Sequence, residues 1–240
     1  SNLSLQNGFD GHMGAGLGSS GAAGVMLVSL FNEYTQSGLN KDQIIETAWK
    51  LENESLGKTG IQDQIAAMYG GINYIIVNYL GDKVEVERIP IFYSGIKNYL
   101  SLYYLGGERS SAKIQETLGK SQKGINALQE SMATAKWGFR LLIEEDFISL
   151  GELLNHAWVL KKIANPNATT TRINIIYHEG INAGAWGGKL IGAGGNGYMV
   201  FMHEPHKREQ ISEAMTSQGA EEVRWSIDYN GCEVKKLCTE

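Results

Sequence analysis

The sequence predicts an α+β protein of two domains, the second with the element order of a ferredoxin-like fold. Three observations lead to this prediction. Hydrophobic residues make up 42% of the 240 positions and charged residues 20%, a balance that allows a substantial core. Helical and strand-type hydrophobic periodicities both occur along the chain. Finally, the length fits one large domain or two modest ones.

The first domain is predicted from periodicity and from signals at the ends of its elements. An almost wholly apolar segment predicts a buried helix, which Ser19 or Ser20 would cap. The next helix is amphipathic and opens at Asn40. The predicted elements are helices 22–34, 40–54 and 64–69, the last closed by Gly70 and Gly71, and strands 73–79 and 84–89 joined at Gly81 and Asp82.

The second domain is predicted to begin just after Pro90. Two apolar segments flank a glycine-rich loop, and the other predicted elements are strand 98–105, helices 111–145, 147–164, 170–183 and 206–219, and strand 221–229. The order is strand, helices, two strands, helix and strand, which is typical of a ferredoxin-like domain. We place the boundary near residue 92, so the predicted domains are 1–92 and 93–240.

Charge and composition exclude several classes of partner. The net charge of −5 and the absence of a Lys/Arg-rich stretch argue against nucleic acid. The longest apolar run is too short to cross a bilayer, and the first residues lack the pattern of a secretory signal, so we expect a cytoplasmic protein with no membrane partner. Cys232 and Cys238 match neither a zinc pair nor a disulfide framework.

Glycine is the unusual residue of the composition. There are 30 glycines among the 240 residues, more than the average usage of roughly 7% would give, and many of them lie in windows 11–24 and 180–197. Without a Cβ, backbone amides can approach an anion closely, and a helix that starts behind the loop adds the positive end of its dipole. The first window, which includes "GAGLGSSGAAGVML", therefore suggests a phosphate site.

Three specific interpretations of the glycine windows compete, and two of them are phosphate sites. A Walker A loop is rejected because no lysine lies near residues 14–24. The pattern G-x-G-x-x-G occurs in both windows, but the second copy leads into a strand-like segment where a dinucleotide site requires a helix. A glycine-rich helix entry that only packs tightly stays open as an alternative.

A magnesium ion would suit such a loop. The hydroxyls of Ser19 and Ser20 can donate to phosphate or bind the ion, which prefers oxygen ligands. Carboxylates are available from Glu52, Glu54 and Asp63, since the turn after the second helix can bring Asp63 back beside Glu52. The alternative for each acid is a solvated helix face or a helix cap.

Three stretches resemble the motifs of the GHMP small-molecule kinases. "GAGLGSSGAA" is similar to the central phosphate-binding motif, "ENESLGKTGIQDQIAAMYGGIN" to the region of the magnesium glutamate and catalytic aspartate, and "GAWGGKLIGAGGNGYMVFM" to the C-terminal glycine motif. With "GERSS" and "LLNHAWVLKK" they resemble the sugar-kinase branch that includes heptose 7-phosphate kinases. The resemblance implies a two-domain GHMP kinase fold.

The resemblance also implies the roles of particular residues. Asp63 would be the catalytic base, and Ser20 and Glu52 would hold Mg²⁺. Arg109 would grip an anionic sugar, with Gly192 also beside the substrate. The implied ATP-binding residues are Gly14, Ala15, Gly16, Leu17, Gly18, Ser19, Ser20, Gly192, Gly194 and Gly195.

The chain departs from the family pattern in three places. "GFDGHMGAG" stands where the family has paired prolines, and Asn196 replaces a small residue. A preceding region of roughly one hundred residues with the first family motif is absent, so we expect a truncated kinase, a fragment or one member of a split pair, with a homodimer or a separate chain supplying the missing part.

The resulting functional prediction is ATP- and magnesium-dependent phosphorylation of a sugar or sugar phosphate. A heptose 7-phosphate is the favoured substrate, and another sugar such as fucose is an alternative. A catalytically silent nucleotide-binding protein or subunit is the alternative from a different class. The presence of Ser20, Glu52 and Asp63 together favours catalysis, because a non-enzyme has no need of all three.

Overall fold

The structure is a computed structural model that describes residues 16–57, 59–80, 83–91, 95–107, 114 and 117–235. These residues form two compact units. The first unit contains the described parts of 18–91 together with 227–235, and the second contains 16–17 and the described parts of 95–226. None of the helices in the described part of the chain has both the length and the apolar character that a membrane crossing requires.

The first unit consists of three helices and a β-hairpin. Helices α1 (Ser19–Thr35) and α2 (Lys41–Leu56) pack closely, since a Cβ on Gly24 of α1 would lie 3.5 Å from the Cβ of Ala48 in α2. The apolar core of this unit is formed by Val25, Val28, Ile44, Ile45, Ala48, Ile61, Ile65 and Met68. The elements are α1 (Ser19–Thr35), α2 (Lys41–Leu56), α3 (Gln62–Tyr69), β1 (Ile72–Leu80) and β2 (Lys83–Ile91).

The N-termini of α1 and α2 test the two predicted helix caps. The predicted cap of α2 is confirmed: Asn40 accepts from the backbone N–H of Gln43, whose side chain accepts from the backbone N–H of Asn40, a capping box. The predicted serine cap of α1 is wrong. The N-cap is Gly18 in the left-handed conformation with φ +74°, and it makes no side-chain bond, so Ser19 and Ser20 already belong to the first helical turn.

The hairpin is antiparallel, with register from Ile72 opposite Ile91 to Leu80 opposite Lys83, which confirms the two predicted strands. The predicted turn residues Gly81 and Asp82 lie outside the described residues. The predicted domains, 1–92 and 93–240, stay a prediction.

The second unit contains a four-stranded sheet in which every neighbouring pair of strands is antiparallel. The order across the sheet is β4 (Ala185–Leu190), β5 (Tyr198–His203), β3 (Leu100–Tyr104) and β6 (Glu221–Val223). Together with the order of elements along the chain, this is the ferredoxin-like arrangement, as predicted. The elements are β3 (Leu100–Tyr104), α4 (Gln122–Ile143), α5 (Phe147–Ala164), α6 (Thr171–Asn182), β4 (Ala185–Leu190), β5 (Tyr198–His203), α7 (Arg208–Ser217) and β6 (Glu221–Val223). The core includes Tyr103, Trp158, Tyr177, Met199 and Phe201.

Two predicted elements are shorter than expected. Helix α4 begins only at Gln122, because Ser121 caps it by accepting from the N–H of Gly124. The last predicted strand ends at Val223. Residues 227–235 belong to the first unit instead: the carbonyl of Asp228 accepts from the N–H of Gly71 at 2.6 Å, and the N–H of Cys232 donates to the carbonyl of Met68.

Candidate active site

The carboxylate of Asp63 lies against the start of helix α1. A Cβ on Gly18 would lie 3.0 Å from Cγ of Asp63, and a Cβ on Gly21 only 2.8 Å from its Cβ. Gly18 also has φ +74°, a conformation that side chains disfavour. These two glycines therefore admit Asp63 to the N-terminal turn of α1, where backbone N–H groups lack helical partners.

Glu52, near the end of α2, is held by two donors on the same carboxylate oxygen. Gln64 Nε2 donates to Oε2 at 2.6 Å, and Thr59 Oγ1 donates to it at 3.1 Å. Thr59 is itself fixed, because its N–H donates to Asn53 Oδ1 and its carbonyl accepts from Trp49 Nε1. The segment between α2 and α3 thus ties Glu52 to the beginning of α3.

The carboxylates of Asp63 and Glu52 interact electrostatically. Burial raises the pKa of Asp63, and the negative charge of Glu52 raises this pKa further. A bound cation would relieve the repulsion, and the protein side of a Mg²⁺ site in nucleotide-binding proteins commonly consists of one or two carboxylates, with phosphates and waters completing it. The pair therefore fits Mg²⁺ held together with phosphate. The described residues contain no group of three or more His, Cys, Asp or Glu side chains suited to a metal ion.

The other residues predicted for this site have different positions. Ser19 is half-buried and Ser20 exposed in the first turn of α1, while Glu54 is exposed on α2. Gly16 has φ +97°, and Leu17 packs in the second unit against the cluster of Leu102, Tyr198 and Val200. Gly14, Ala15 and Arg109 lie outside the described residues.

The second glycine loop belongs to the second unit and is shaped by backbone contacts. Lys161 Nζ donates to the carbonyls of Leu190 and Gly192 at 2.8 and 2.6 Å. The N–H of Gly195 donates to the carbonyl of Ala168, and a Cβ on Gly194 would lie 2.6 Å from Cα of Ala168. Tight packing thus accounts for glycine at 194, and binding at Gly192, Gly194 and Gly195 stays a prediction.

Sequence reasoning missed Gln64, Thr59 and Lys161. Gln64 is fully buried although it is polar. Its position directly after Asp63 and among the apolar residues Ile61, Ile65 and Met68 is the signal that could have identified it. Nothing in the pattern indicated that Thr59 or Lys161 would donate where they do, because their acceptors are distant in sequence or lie on the backbone.

The comparisons with known proteins identify the family of this chain. The family description "GHMP kinases N terminal domain" matches residues 2–71, and "GHMP kinases C terminal" matches residues 139–221. The chain belongs to the GHMP kinase family, and its fold is the α+β GHMP kinase fold with N- and C-terminal domains.

Several relatives are similar over most of this chain. The D-glycero-alpha-D-manno-heptose 7-phosphate kinase of Campylobacter jejuni is 30% identical over 231 residues, which are 90% of this chain and 66% of the relative. A crystal structure of a sugar kinase from the same species, 27% identical, superposes with a TM-score of 0.67 over 91% of this chain and 64% of that one. A heptose 1-phosphate kinase structure from Bacteroides thetaiotaomicron, 22% identical, superposes with a TM-score of 0.70 over 95% and 66%. The chain thus spans about two thirds of the length of these relatives, between 64% and 66%.

Proposed function

We propose that this protein is an ATP- and magnesium-dependent kinase that phosphorylates a hydroxyl group of a sugar or sugar phosphate. The observation that carries the proposal is that Asp63 lies against the glycine-bounded start of α1, while the charge of Glu52, which is bonded to Gln64, raises the pKa of Asp63. A carboxylate pair beside a helix N-terminus provides both a cation site and an anion site, which is what phosphoryl transfer from a nucleotide requires.

Phosphate and Mg²⁺ would be bound by different residues of the site. The amides of Gly16–Ser19, with those predicted at Gly14 and Ala15, bind the phosphates, and the free N–H groups of the first turn attract the negative charge. Ser20 and Glu52 would hold Mg²⁺, which neutralises charge on the phosphates when bound. Gln64 and Thr59 keep the Glu52 carboxylate in one orientation.

Asp63 accepts the proton of the acceptor hydroxyl. A base works best when its pKa lies closer to the working pH than that of a free carboxylate, and burial together with Glu52 moves the pKa of Asp63 in that direction. Gly18 and Gly21 set its place, because a side chain at either position would displace it. Asp63 thus orients the hydroxyl in line with the phosphate bound at α1.

For the substrate we propose a heptose 7-phosphate. Support comes from the 30% identity to the Campylobacter jejuni enzyme, a higher identity than that to a galactokinase at 26% or a mevalonate kinase at 25%. Arg109 would bind the anionic group of such a sugar. The second glycine loop, Gly192, Gly194 and Gly195, would support the ATP and sugar sites. A cytoplasmic location belongs to the same proposal.

Binding and turnover test the proposal separately. Calorimetric titration of ATP, with and without Mg²⁺, measures the phosphate and metal site in this chain directly. ADP release with heptose phosphates, fucose and other hexoses as acceptors measures the reaction. It is measured on this chain combined with the preceding region that its relatives carry, with Asp63→Asn as the matched inactive control. Tight magnesium-dependent ATP binding without acceptor-dependent ADP release would favour the silent nucleotide-binding alternative, and the absence of any ATP binding would refute the proposal.

A further inference from the structure

Gln64 is a buried polar residue whose hydrogen bonding is only half satisfied. Its side chain has no solvent exposure. Nε2 donates to Glu52 Oε2 at 2.6 Å, whereas Oε1 is buried without a partner among the described residues. An unpaired buried acceptor costs free energy that an apolar side chain of the same size would not. Packing therefore does not explain an amide here.

The side-chain amide of Gln64 lies next to both carboxylate residues, Glu52 and Asp63. It follows Asp63 directly on α3, and a Cβ on Gly21 of α1 would lie 3.4 Å from its Cδ. Its partner Glu52 is on α2, twelve residues earlier in the chain. Gln64 of α3 is thus hydrogen-bonded to α2 and packed against Gly21 of α1, next to Asp63 in the chain.

The bond from Gln64 acts on one oxygen of Glu52. The hydrogen bonds that Glu52 accepts from the described residues both go to Oε2, and the bond from Gln64 is shorter than that from Thr59 by half an ångström, 2.6 against 3.1 Å. A donor to a carboxylate that binds a metal ion fixes the direction of the other oxygen.

We propose that Gln64 is a positioning residue, which fixes Glu52 Oε2 so that Glu52 Oε1 is directed to the magnesium ion. The inference rests on the proposed function, because it assumes that Glu52 binds the metal. It gives a reason for a buried amide with an unsatisfied oxygen: the cost to the fold is offset by an oriented metal ligand.

Gln64→Leu tests the inference, since leucine is close in volume and removes both the donor and the orphan acceptor. We expect the gain in ATP affinity on adding Mg²⁺, measured by calorimetry on this chain, to fall about 10- to 100-fold, the usual effect of losing a partner of a metal ligand. ATP affinity without Mg²⁺ should not change. The melting temperature should stay equal or rise, because the buried unpaired oxygen is gone.

Two further variants separate positioning from packing. Thr59→Val, the matched control, removes the longer bond to the same oxygen and should cause a smaller loss. Glu52→Gln should reduce the magnesium effect at least as much as Gln64→Leu, and Gln64→Leu added to it should reduce the remaining effect no further, because Gln64 acts through Glu52. Gln64→Met, which is unbranched, provides the same measurement if the leucine variant does not fold.

The outcomes distinguish this inference from the proposed function. An unchanged magnesium effect in Gln64→Leu, or an equal additional loss in the Glu52→Gln background, would overturn the positioning role while leaving the kinase proposal in place. A wild-type chain that binds ATP with no magnesium effect would remove the metal role of Glu52 and with it both proposals.

Discussion

Replacing Gly21 by alanine tests whether close packing of Asp63 on α1 dictates glycine at the start of that helix. In an ordinary helix the change stabilises by up to about 1 kcal/mol, because alanine has the higher helix propensity. Here the new Cβ would lie 2.8 Å from Cβ of Asp63 and 3.3 Å from its backbone carbonyl carbon, distances that force the chain to move. Overpacking of this kind costs about 1–3 kcal/mol, so we expect a net destabilisation of up to about 2 kcal/mol.

Gly24 is the matched control, because it lies one turn further along α1. Its Cβ would meet the Cβ of Ala48 at 3.5 Å, an ordinary van der Waals contact, so Gly24→Ala should stabilise by a fraction of 1 kcal/mol. Urea unfolding measures both free energies. Gly21→Ala should also weaken ATP binding with Mg²⁺, whereas Gly24→Ala should not. Equal stability of the two variants would refute the argument that Asp63 is packed directly on Gly21.

Three further substitutions test the same unit. Asp63→Asn should leave ATP binding intact and, when this chain is combined with the preceding region that its relatives carry, lower turnover by about 10²–10⁴, measured as ADP release. Normal turnover would refute the role of Asp63 as the base. Because the folded state raises the pKa of Asp63, its ionisation costs stability once the pH rises above the unfolded pKa; the asparagine variant should therefore gain stability over wild type at pH 7 but not at pH 3 in urea unfolding. Ser20→Ala should reduce the magnesium effect on ATP binding in calorimetry, and an unchanged titration would exclude Ser20 as a ligand. Asn40→Ala should cost about 0.5–2 kcal/mol in urea unfolding by removing the capping box of α2, without affecting ATP binding.

Elements whose signals are local were predictable from the sequence. The capping box at Asn40, the end of α3 at Gly70 and the hairpin between β1 and β2 depend on residues within a few positions of one another. The start of α1 was predicted three residues late, because Ser19 and Ser20 were interpreted as helix caps. The N-cap is instead Gly18, whose left-handed conformation the sequence does not reveal. The predicted strand 221–229 is wrong beyond Val223. The backbone of Asp228 and Cys232 hydrogen-bonds instead to Gly71 and Met68, which are distant in the chain.

For the site, the sequence by itself determined the residue types: a glycine-bounded helix start, two serines, and the carboxylates of Glu52 and Asp63 at a spacing that a turn can close. Only the tertiary structure decided that Gly18 and Gly21 admit Asp63, that Glu54 stays exposed, and that Gln64 and Thr59 hold Glu52. The physical reason is that hydrophobic periodicity and backbone preferences act over a few residues. Which side chains meet across three helices depends instead on how closely those helices pack, and this is decided by the whole core of the unit.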